Sequence, residues 1–507
     1  MLAWTLIAFD WTLRIVMVVV LLLRKKTSEA LPWLLVCLAF PVIGLCLYLL
    51  IGGNRLGSRR SKRHARAMKA VDGLTRIAKS RAQNRDDVPE RRRDLARLAE
   101  SMGHFPFVGG NAAEVIGEPT DYLNRLVGDI DAAKSHVHCL YYIFEDDRAG
   151  REVGAALRRA SARGVKARLL VDAVGSRQLF RRLGPELEAA GVMVRAMLPV
   201  NPLRRRLARI DLRNHRKLAV IDGATVYTGS QNIVDPAAGS KGGDPNGGRI
   251  GSAPRALGGI AEIPGVARLF TRSRRQWDDL SVRMRGPIAL QGDAVFLEDW
   301  YSTTGEVLHE TPTPEWAAQA APREGDAVAQ LVPSGPTYEV DVFHDFIVAA
   351  LHDADGSIEL CTPYFVPGEP VMLALKIAAS RGVSVDVVVP ERTDHLLVSL
   401  AARAHYQELL DAGVRVHLHR GLMLHTKSLA VDDDLAIIGS SNLDMRSFHL
   451  NFELNTVLYG GAVTGSLHRE HRRYMERSTL LRASAWAKRP LAARLLEKAV
   501  GLMGPLL

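Results

Sequence analysis

Cysteine is scarce: the 507-residue chain has four, Cys37, Cys46, Cys139 and Cys361. None stands in a CxxC pair or in Cys/His spacing, which excludes a cysteine-built zinc site and a disulfide framework. Buried free thiols are expected instead. Aromatic residues make up 6% of the chain and do not interleave with its basic runs, so the stacking groove of a single-strand nucleic-acid binder is missing. No cluster of acids is placed to hold a divalent ion; no metal and no cofactor is expected. What is present is a globular composition, 47% hydrophobic and 24% charged, enough for an ordinary core. The length suggests about three units at roughly 150 residues each. A net charge of +11 suits an anionic partner, either nucleic acid or an acidic membrane surface.

Charge is absent altogether from residues 31–51. A bilayer core needs about 20 apolar residues as helix, so this stretch predicts a spanning helix, with Pro32 and Pro41 tolerated there. Residues 2–23 are apolar but hold Asp10 and Arg14, four apart and able to pair on one helix face. The reading is a second span, and so an N-terminal transmembrane helical hairpin over 1–54; an interfacial helix is the alternative for the first segment. A cleaved signal peptide does not fit two such segments in succession. From Arg55 to Arg85 come eleven Lys or Arg and one acid, Asp72. By the positive-inside rule this run outweighs Arg24, Lys25 and Lys26 and puts the large C-terminal part in the cytoplasm. The expected organisation is the hairpin at 1–54, a basic juxtamembrane segment at 55–100, a first half at 101–310, a linker at 311–330 and a second half at 331–507.

The halves are read from an internal repeat. Arg163-Gly164-Val165 matches Arg381-Gly382-Val383, and Ala190-Gly191-Val192 matches Ala412-Gly413-Val414. Each ends a helical stretch on a glycine stop. Helices are predicted over 151–163 and 371–381, and strands over 136–144, 166–172, 357–365 and 384–390. Strand, helix, strand, helix, strand in each half argues an α/β sheet with helical crossovers. Residues 311–323 read as a Pro/Thr/Ala linker and 236–265 as a long Gly-rich loop beside the first motif.

The third match carries chemistry. His215, Lys217, Asp222, Gly229, Ser230 and Asn232 recur at identical spacing as His425, Lys427, Asp432, Gly439, Ser440 and Asn442. The pattern is H-x-K-x4-D-x6-G-S-x-N twice. His and Lys two apart on a strand share a face. Imidazole attacks phosphorus or moves a proton near neutral pH. Lys217 and Lys427, with Ser230, Asn232, Ser440 and Asn442 from the next strands, are expected to hold a phosphodiester. One imidazole cannot both attack and protonate the leaving alcohol. Two, facing each other across a pseudo-twofold axis, divide that work. Asp222 and Asp432 belong to the motif and are expected to hold the strand-turn-strand.

At these residues the sequence resembles the phospholipase D superfamily. Tyr141-Tyr142-Ile143-Phe144, Phe296-Leu297-Glu298-Asp299-Trp300, Thr362-Pro363-Tyr364-Phe365-Val366-Pro367 and Asn451-Phe452-Glu453 look like the bacterial cardiolipin synthases. The resemblance implies two phospholipase D-like α/β halves with one shared active site behind the membrane hairpin, in the cell (inner) membrane. It implies transfer of a phosphatidyl group between two phosphatidylglycerol molecules, giving cardiolipin and glycerol, with phosphatidylglycerol and anionic lipid as partners and no nucleic acid. It also implies an acid in each half behind its histidine, Glu453 and Asp279, with Asp278 the competing choice. Hydrolysis, another donor or acceptor, or a membrane-tethered nuclease are the alternatives the motif itself leaves open. Arg204, Arg205, Arg206, Arg209 and Arg213 read as a solvated loop or a headgroup collar. Residues 490–507 read as an interfacial amphipathic helix or a core-packing one.

Overall fold

The computed structural model describes residues 2–24, 27–52, 63–64, 66–67, 88–199, 211–236, 276–308, 323–338 and 341–504. Residues 311–322 of the expected linker, most of the Gly-rich loop, most of the basic run after Asn54 and the four arginines Arg204, Arg205, Arg206 and Arg209 lie outside the described residues; the end of the linker expected over 311–330 is strand from Ala327.

The apolar N-terminus forms three helices, Leu2–Arg24, Thr27–Ala39 and Pro41–Ile51. Asp10 and Arg14 pair at 2.7 Å, as their spacing predicts. The single helix predicted over 31–51 is instead two, folded back on each other at Phe40. Pro41 has no N–H and pushes the residue before it out of the helical region; Phe40 sits at φ −135°, ψ 77°. The return is tight, because a Cβ on Gly44 would come within 2.7 Å of the Cys37 backbone, and Trp33 meets Tyr48 edge-on at 5.4 Å. Among the described residues no helix is long and apolar enough to cross a membrane.

The rest is built on a fifteen-stranded sheet. Its strands from the first half are β1 (Val108–Ile116), β2 (His136–Tyr141), β3 (Lys166–Asp172), β4 (Met193–Met197), β5 (Leu218–Ile221), β6 (Thr225–Gly229) and β8 (Ser281–Arg285), with the two-residue β7 (Trp277–Asp278) outside it. The second half gives β9 (Ala327–Ser334), β10 (Ser357–Cys361), β12 (Ser384–Pro390), β13 (Arg415–His419), β15 (Ser428–Val431), β16 (Leu435–Gly439), β18 (Glu453–Tyr459) and β19 (Ser478–Leu480). The short β11 (Phe365–Val366) pairs with β17 (Leu443–Asp444), and β14 (Met423–Leu424) pairs with β7.

The order is β19-β13-β12-β10-β15-β16-β18-β9-β1-β8-β6-β5-β2-β3-β4. Read outward from the central β9–β1 pair, the halves are mirror lists: β1, β8, β6, β5, β2, β3, β4 against β9, β18, β16, β15, β10, β12, β13. The repeat is thus an approximate twofold. The glycine stops stand in corresponding left-handed positions, Gly164 and Gly382 at φ 88° and 91°. Those turns are open to glycine at no steric cost. The helix Arg148–Ala162 and the helix Glu369–Ser380 are the two first crossovers. The predicted strand over 357–365 stops at Cys361 and resumes separately as β11, because Pro363 interrupts the ladder.

The half-sheets pack face to face. Leu218, Val220, Val226, Val282 and Met284 share one core with Ala436, Ile438, Leu454 and Leu458. Thr228 Oγ1 meets Thr456 Oγ1 at 2.6 Å inside this layer. That contact joins β6 of the first motif hairpin to β18, which pairs with β16 of the second.

Candidate active site

Each motif occupies the entry to a hairpin. His215 and Lys217 directly precede β5, and His425 and Lys427 directly precede β15. The motif acids sit at the other end. Asp222 and Asp432 take the left-handed turn at φ 52° and 50°, a strand of four residues away, or roughly 13 Å. Asp222 accepts backbone N–H bonds from Lys134, Ser135 and His136. Asp432 accepts them from Asp355, Gly356 and Ser357. Both carboxylates therefore lie at the far ends of the hairpins, against the starts of β2 and β10 and a strand's length from the histidines. Asp432 also receives the buried Arg92 guanidinium at 2.6 Å, which reaches Asp434 at 2.9 Å and Asp353 as well.

The entry segments do not pair within their own half. His215 N donates to Phe452 O at 2.8 Å, and Phe452 N donates to Arg213 O at 3.0 Å. His425 N and Thr426 N donate to Asp278 O, and β14 runs beside β7. Each histidine is consequently laid against the acid-bearing segment of the other half. His215 Nδ1 lies 3.1 Å from Glu453 Oε2 and 3.0 Å from Ser440 O. His425 Nδ1 lies 2.6 Å from Asp279 Oδ1. The expectation of an acid behind the histidine of its own half is corrected: the acids are exchanged. Asp278 contributes its backbone carbonyl here, and its side chain turns toward His419 at 3.3 Å.

Both Glu453 oxygens and the Ser440 carbonyl are acceptors, so the His215 proton belongs on Nδ1 and Nε2 is left with its lone pair. The same holds for His425 on an ionised Asp279. Burial would raise the Asp279 carboxyl, but His425, Lys427 and Ser230 outweigh it and hold it at about 2. Glu453 is likewise lowered, against its burial, by His215, Lys217 and Ser440. Burial pushes His215 down to about 4, with Glu453 opposing and Lys217 and Lys427 adding to the push. His425 is lowered by burial and by Lys427. Both rings are thus neutral imidazoles on ionised acids.

Lys217 Nζ and Lys427 Nζ each donate to the carbonyl of their own motif histidine, the former at 2.6 Å. Neither ammonium is ion-paired among the described residues. Burial, then the charge of Lys427, takes Lys217 well below the ordinary lysine range, and burial takes Lys427 down to about 8. Burial and the charge of Lys427 thus disfavour a proton on Lys217, and a bound anion would favour one on both lysines. Each lysine also acts on the histidine of the opposite motif, so the two sets form one site.

The polar residues of the second strands divide. Ser230 Oγ donates to Asp279 Oδ1 at 2.7 Å, and Ser440 Oγ donates to Glu453 Oε2. These hydroxyls brace the acids, which corrects their expected aim at phosphate. Asn232 Oδ1 accepts from Ile143 N at 3.1 Å, and its buried Nδ2 has no partner among the described residues, a donor left for a ligand. Asn442 has an unpartnered buried Oδ1.

Three neighbours escaped sequence reading. Trp277 stacks on His425 at 4.3 Å and 21°, whereas Tyr142 meets His215 edge-on at 5.0 Å and lies 5.5 Å from Lys217 Nζ. Arg216, the variable residue of the first motif, is fully buried against Asp299 at 2.8 Å and donates to Glu453 O at 3.0 Å. An arginine inside an otherwise buried motif was the only available signal. Elsewhere His136, His138 and Asp293 converge closely enough to suggest a metal site. However, Arg168 Nη1 faces His138 Nε2 at 3.2 Å and makes that nitrogen the acceptor. Nδ1 then carries the proton to Asp293 at 2.8 Å, so the group fits a hydrogen-bonded triad and not an ion.

Two α/β halves with exchanged acids around paired H-x-K motifs define a phospholipase D-like protein. The sequence matches the family described as "Cardiolipin synthase, PLD-like domain" over residues 126–241 and 347–476. Residues 13–53 match "Phospholipase_D-nuclease N-terminal". Cardiolipin synthase A of Proteus mirabilis is 34% identical over 100% of this chain and 99% of its own. Cardiolipin synthase A of Pectobacterium carotovorum is 34% identical over 99% and 97%. The chain belongs to the bacterial cardiolipin synthase family. The fold of phosphatidylserine synthase from Haemophilus influenzae covers 81% of this chain and 99% of that one, with a TM-score of 0.57 at 13% identity.

Proposed function

We propose that this enzyme is a cardiolipin synthase that joins two phosphatidylglycerol molecules and releases glycerol. The observation that carries the reading is the pair of imidazoles, each fixed on Nδ1 by the other half's carboxylate, flanking two buried lysines that have no acidic partner among the described residues. Lys217, Lys427 and the open Nδ2 of Asn232 hold the phosphodiester oxygens, with Asn442 beside them. The bound anion offsets the lysine charges and lets one imidazole carry a second proton. One Nε2 attacks phosphorus. The P–O bond to glycerol breaks, and the protonated Nε2 of the other histidine supplies the leaving alkoxide with its proton. A hydroxyl of the second phosphatidylglycerol then gives its proton back to that histidine and displaces the phosphohistidine. Glu453 and Asp279 hold the tautomers and balance the imidazolium; Ser230 and Ser440 hold the acids; Asp222 and Asp432 hold the hairpins.

The membrane reading is part of the proposal. Trp4, Phe9, Leu23, Phe40 and Ile43 on the N-terminal helices are each at least 58% exposed, which suits hydrocarbon as solvent. In this reading they anchor the enzyme in the inner membrane with its catalytic part cytoplasmic. The two-pass hairpin requires the fold at Phe40 to open into one helix there.

The test is the purified enzyme with labelled phosphatidylglycerol in mixed micelles. Cardiolipin and glycerol in equal amounts are expected, with loss of both in His215→Ala and His425→Ala. Phosphatidic acid in place of cardiolipin would make the enzyme a hydrolase. No product at all would refute the reading.

A further inference from the structure

The C-terminal end of the chain carries a feature that the reaction does not use. The helix Leu491–Gly501 packs on the helix Leu396–Asp411 through Ala493 and Glu497, which are buried. A Cβ on Gly501 would lie 3.1 Å from Ala404, so the contact is close. The rotation of the helix about its axis is fixed by a clamp. Arg403 and Arg489 both bind Glu497. Their guanidiniums lie 4.8 Å and 3.6 Å from the ring of Trp486.

With Glu497 held inward, the opposite face is turned out. Leu491 is 68% exposed, Leu495 61% and Leu502 70%. Exposed leucines at such spacing on a fixed helix form an apolar stripe without a partner among the described residues. The exposed charge that this segment carries has one sign. From Arg477 to the end the sequence has six Lys or Arg and a single acid, Glu497, and that acid is the buried one in the clamp. Arg494 and Lys498 stand exposed on the helix itself.

The stripe leads toward the active site. A Cβ on Gly504 would lie 3.2 Å from Val366. Val366 belongs to β11, which pairs with β17 at Leu443–Asp444, directly after the motif residue Asn442.

We propose that this face is a membrane-docking surface: the helix Leu491–Gly501 lies in the interface of an anionic bilayer, its leucines among the acyl chains and Arg494 and Lys498 at the headgroups. It is a second contact, separate from the apolar N-terminus, and it holds the β11 side of the site at the surface where the lipid substrate resides. The occupant is lipid because the exposed charges carried by the helix itself, Arg494 and Lys498, are both cationic, whereas a second copy of this face would oppose like charges. The inference rests on the phosphatidyl-transfer reading.

The test uses the full chain as Leu495→Cys in a Cys46→Ser background, labelled with an environment-sensitive fluorophore. It is reconstituted in vesicles of phosphatidylglycerol with phosphatidylcholine, or of phosphatidylcholine alone. The expected result is a blue-shifted emission in the anionic vesicles, quenched by lipid-borne quencher and shielded from iodide. In parallel, Leu491→Glu, Leu495→Glu and Leu502→Glu combined should raise KM for vesicle-borne phosphatidylglycerol about fivefold or more. Turnover of short-chain phosphatidylglycerol dispersed in detergent should be unaltered. A probe open to iodide in both vesicle types, or an unchanged KM, would overturn the proposal. So would a halved molecular mass of the triple variant, which would assign the face to a second copy. Wild-type enzyme that forms no cardiolipin in detergent would instead remove the underlying reading, and the fluorescence result would show which of the two had failed.

Discussion

Asp279→Asn and Glu453→Gln remove the same charge from behind the two histidines, yet their surroundings predict unequal losses. His425 Nδ1 has one acceptor within hydrogen-bond reach among the described residues, Asp279 Oδ1 at 2.6 Å. His215 Nδ1 has two, Glu453 Oε2 at 3.1 Å and the Ser440 carbonyl at 3.0 Å. An amide can turn its NH2 toward the ring, which forces Nδ1 to accept and moves the proton to Nε2. At His425 only the Ser230 hydroxyl opposes that change, and it can turn its proton to the Leu280 carbonyl at 3.1 Å instead. At His215 the Ser440 carbonyl still demands an N–H on Nδ1. The wrong tautomer costs about 10⁴-fold in kcat where a triad aspartate becomes asparagine, or about 5.4 kcal/mol at 1.36 per tenfold. Loss of one hydrogen bond to a charged group costs about 1.5–3 kcal/mol, or roughly 10- to 150-fold. Asp279→Asn should therefore lower kcat by about 10⁴ and Glu453→Gln by about 10² or less. KM should hold in both, since neither acid faces the lipid. The assay is the initial rate of cardiolipin formation at saturating phosphatidylglycerol. Equal losses, or a greater loss in Glu453→Gln, would refute the tautomer argument.

Arg92 is fully buried among Asp353, Asp432 and Asp434, whereas Arg91 beside it is 43% exposed. Arg92→Met strands those carboxylates and should cost about 3–5 kcal/mol in urea unfolding; Arg91→Met should cost under about 1 kcal/mol. Similar midpoints for the two would count against the network. In the second half, burial would raise the Glu359 carboxyl, but hydrogen bonds from His468 and His471 outweigh it and hold it at about 2 against an ordinary 4.5. A depressed carboxylate gives stability that is present above its unfolded pKa of 4.5 and lost as the pH falls through 2. Glu359→Gln should flatten the decline of stability between those values, and an unchanged acid limb would disprove the pairing.

The parts of the fold that the sequence announced are those set by local chemistry. The strands Lys166–Asp172 and Ser384–Pro390 were read to the residue, because a glycine two positions upstream stops the preceding helix in a left-handed turn. The doubled motif was legible because its spacing is identical in both halves, and the halves are indeed sheets of one topology. What local pattern could not give was decided by tertiary contact. Residues 31–51 are apolar enough for a span by count, yet Pro41 sets Phe40 outside the helical region and Gly44 lets the chain return against Cys37. Ser230 and Ser440 sit where the motif puts a phosphate ligand, but each is drawn to a carboxylate that arrives from a separate strand.

The exchanged acids carry a consequence for how this site can exist at all. His215 comes from the first half and Glu453 from the second; His425 comes from the second and Asp279 from the first. The exchange follows from backbone pairing, since the segment entering each motif lies beside the other half's acid strand. Neither half alone holds its motif histidine against a carboxylate. The packed layer between them, with Thr228 on Thr456 at 2.6 Å, is therefore part of the catalyst and not only a scaffold. A cavity made there, as in Ile438→Ala, should cost about 2–5 kcal/mol of stability and also lower kcat, because both acid–imidazole distances depend on that layer. Ile347→Ala, a deletion of the same size in the separate core of the second half, should cost similar stability with kcat retained. Equal kcat for the two variants in the folded state would mean that each half orders its own histidine, and the exchange would then be geometry without consequence.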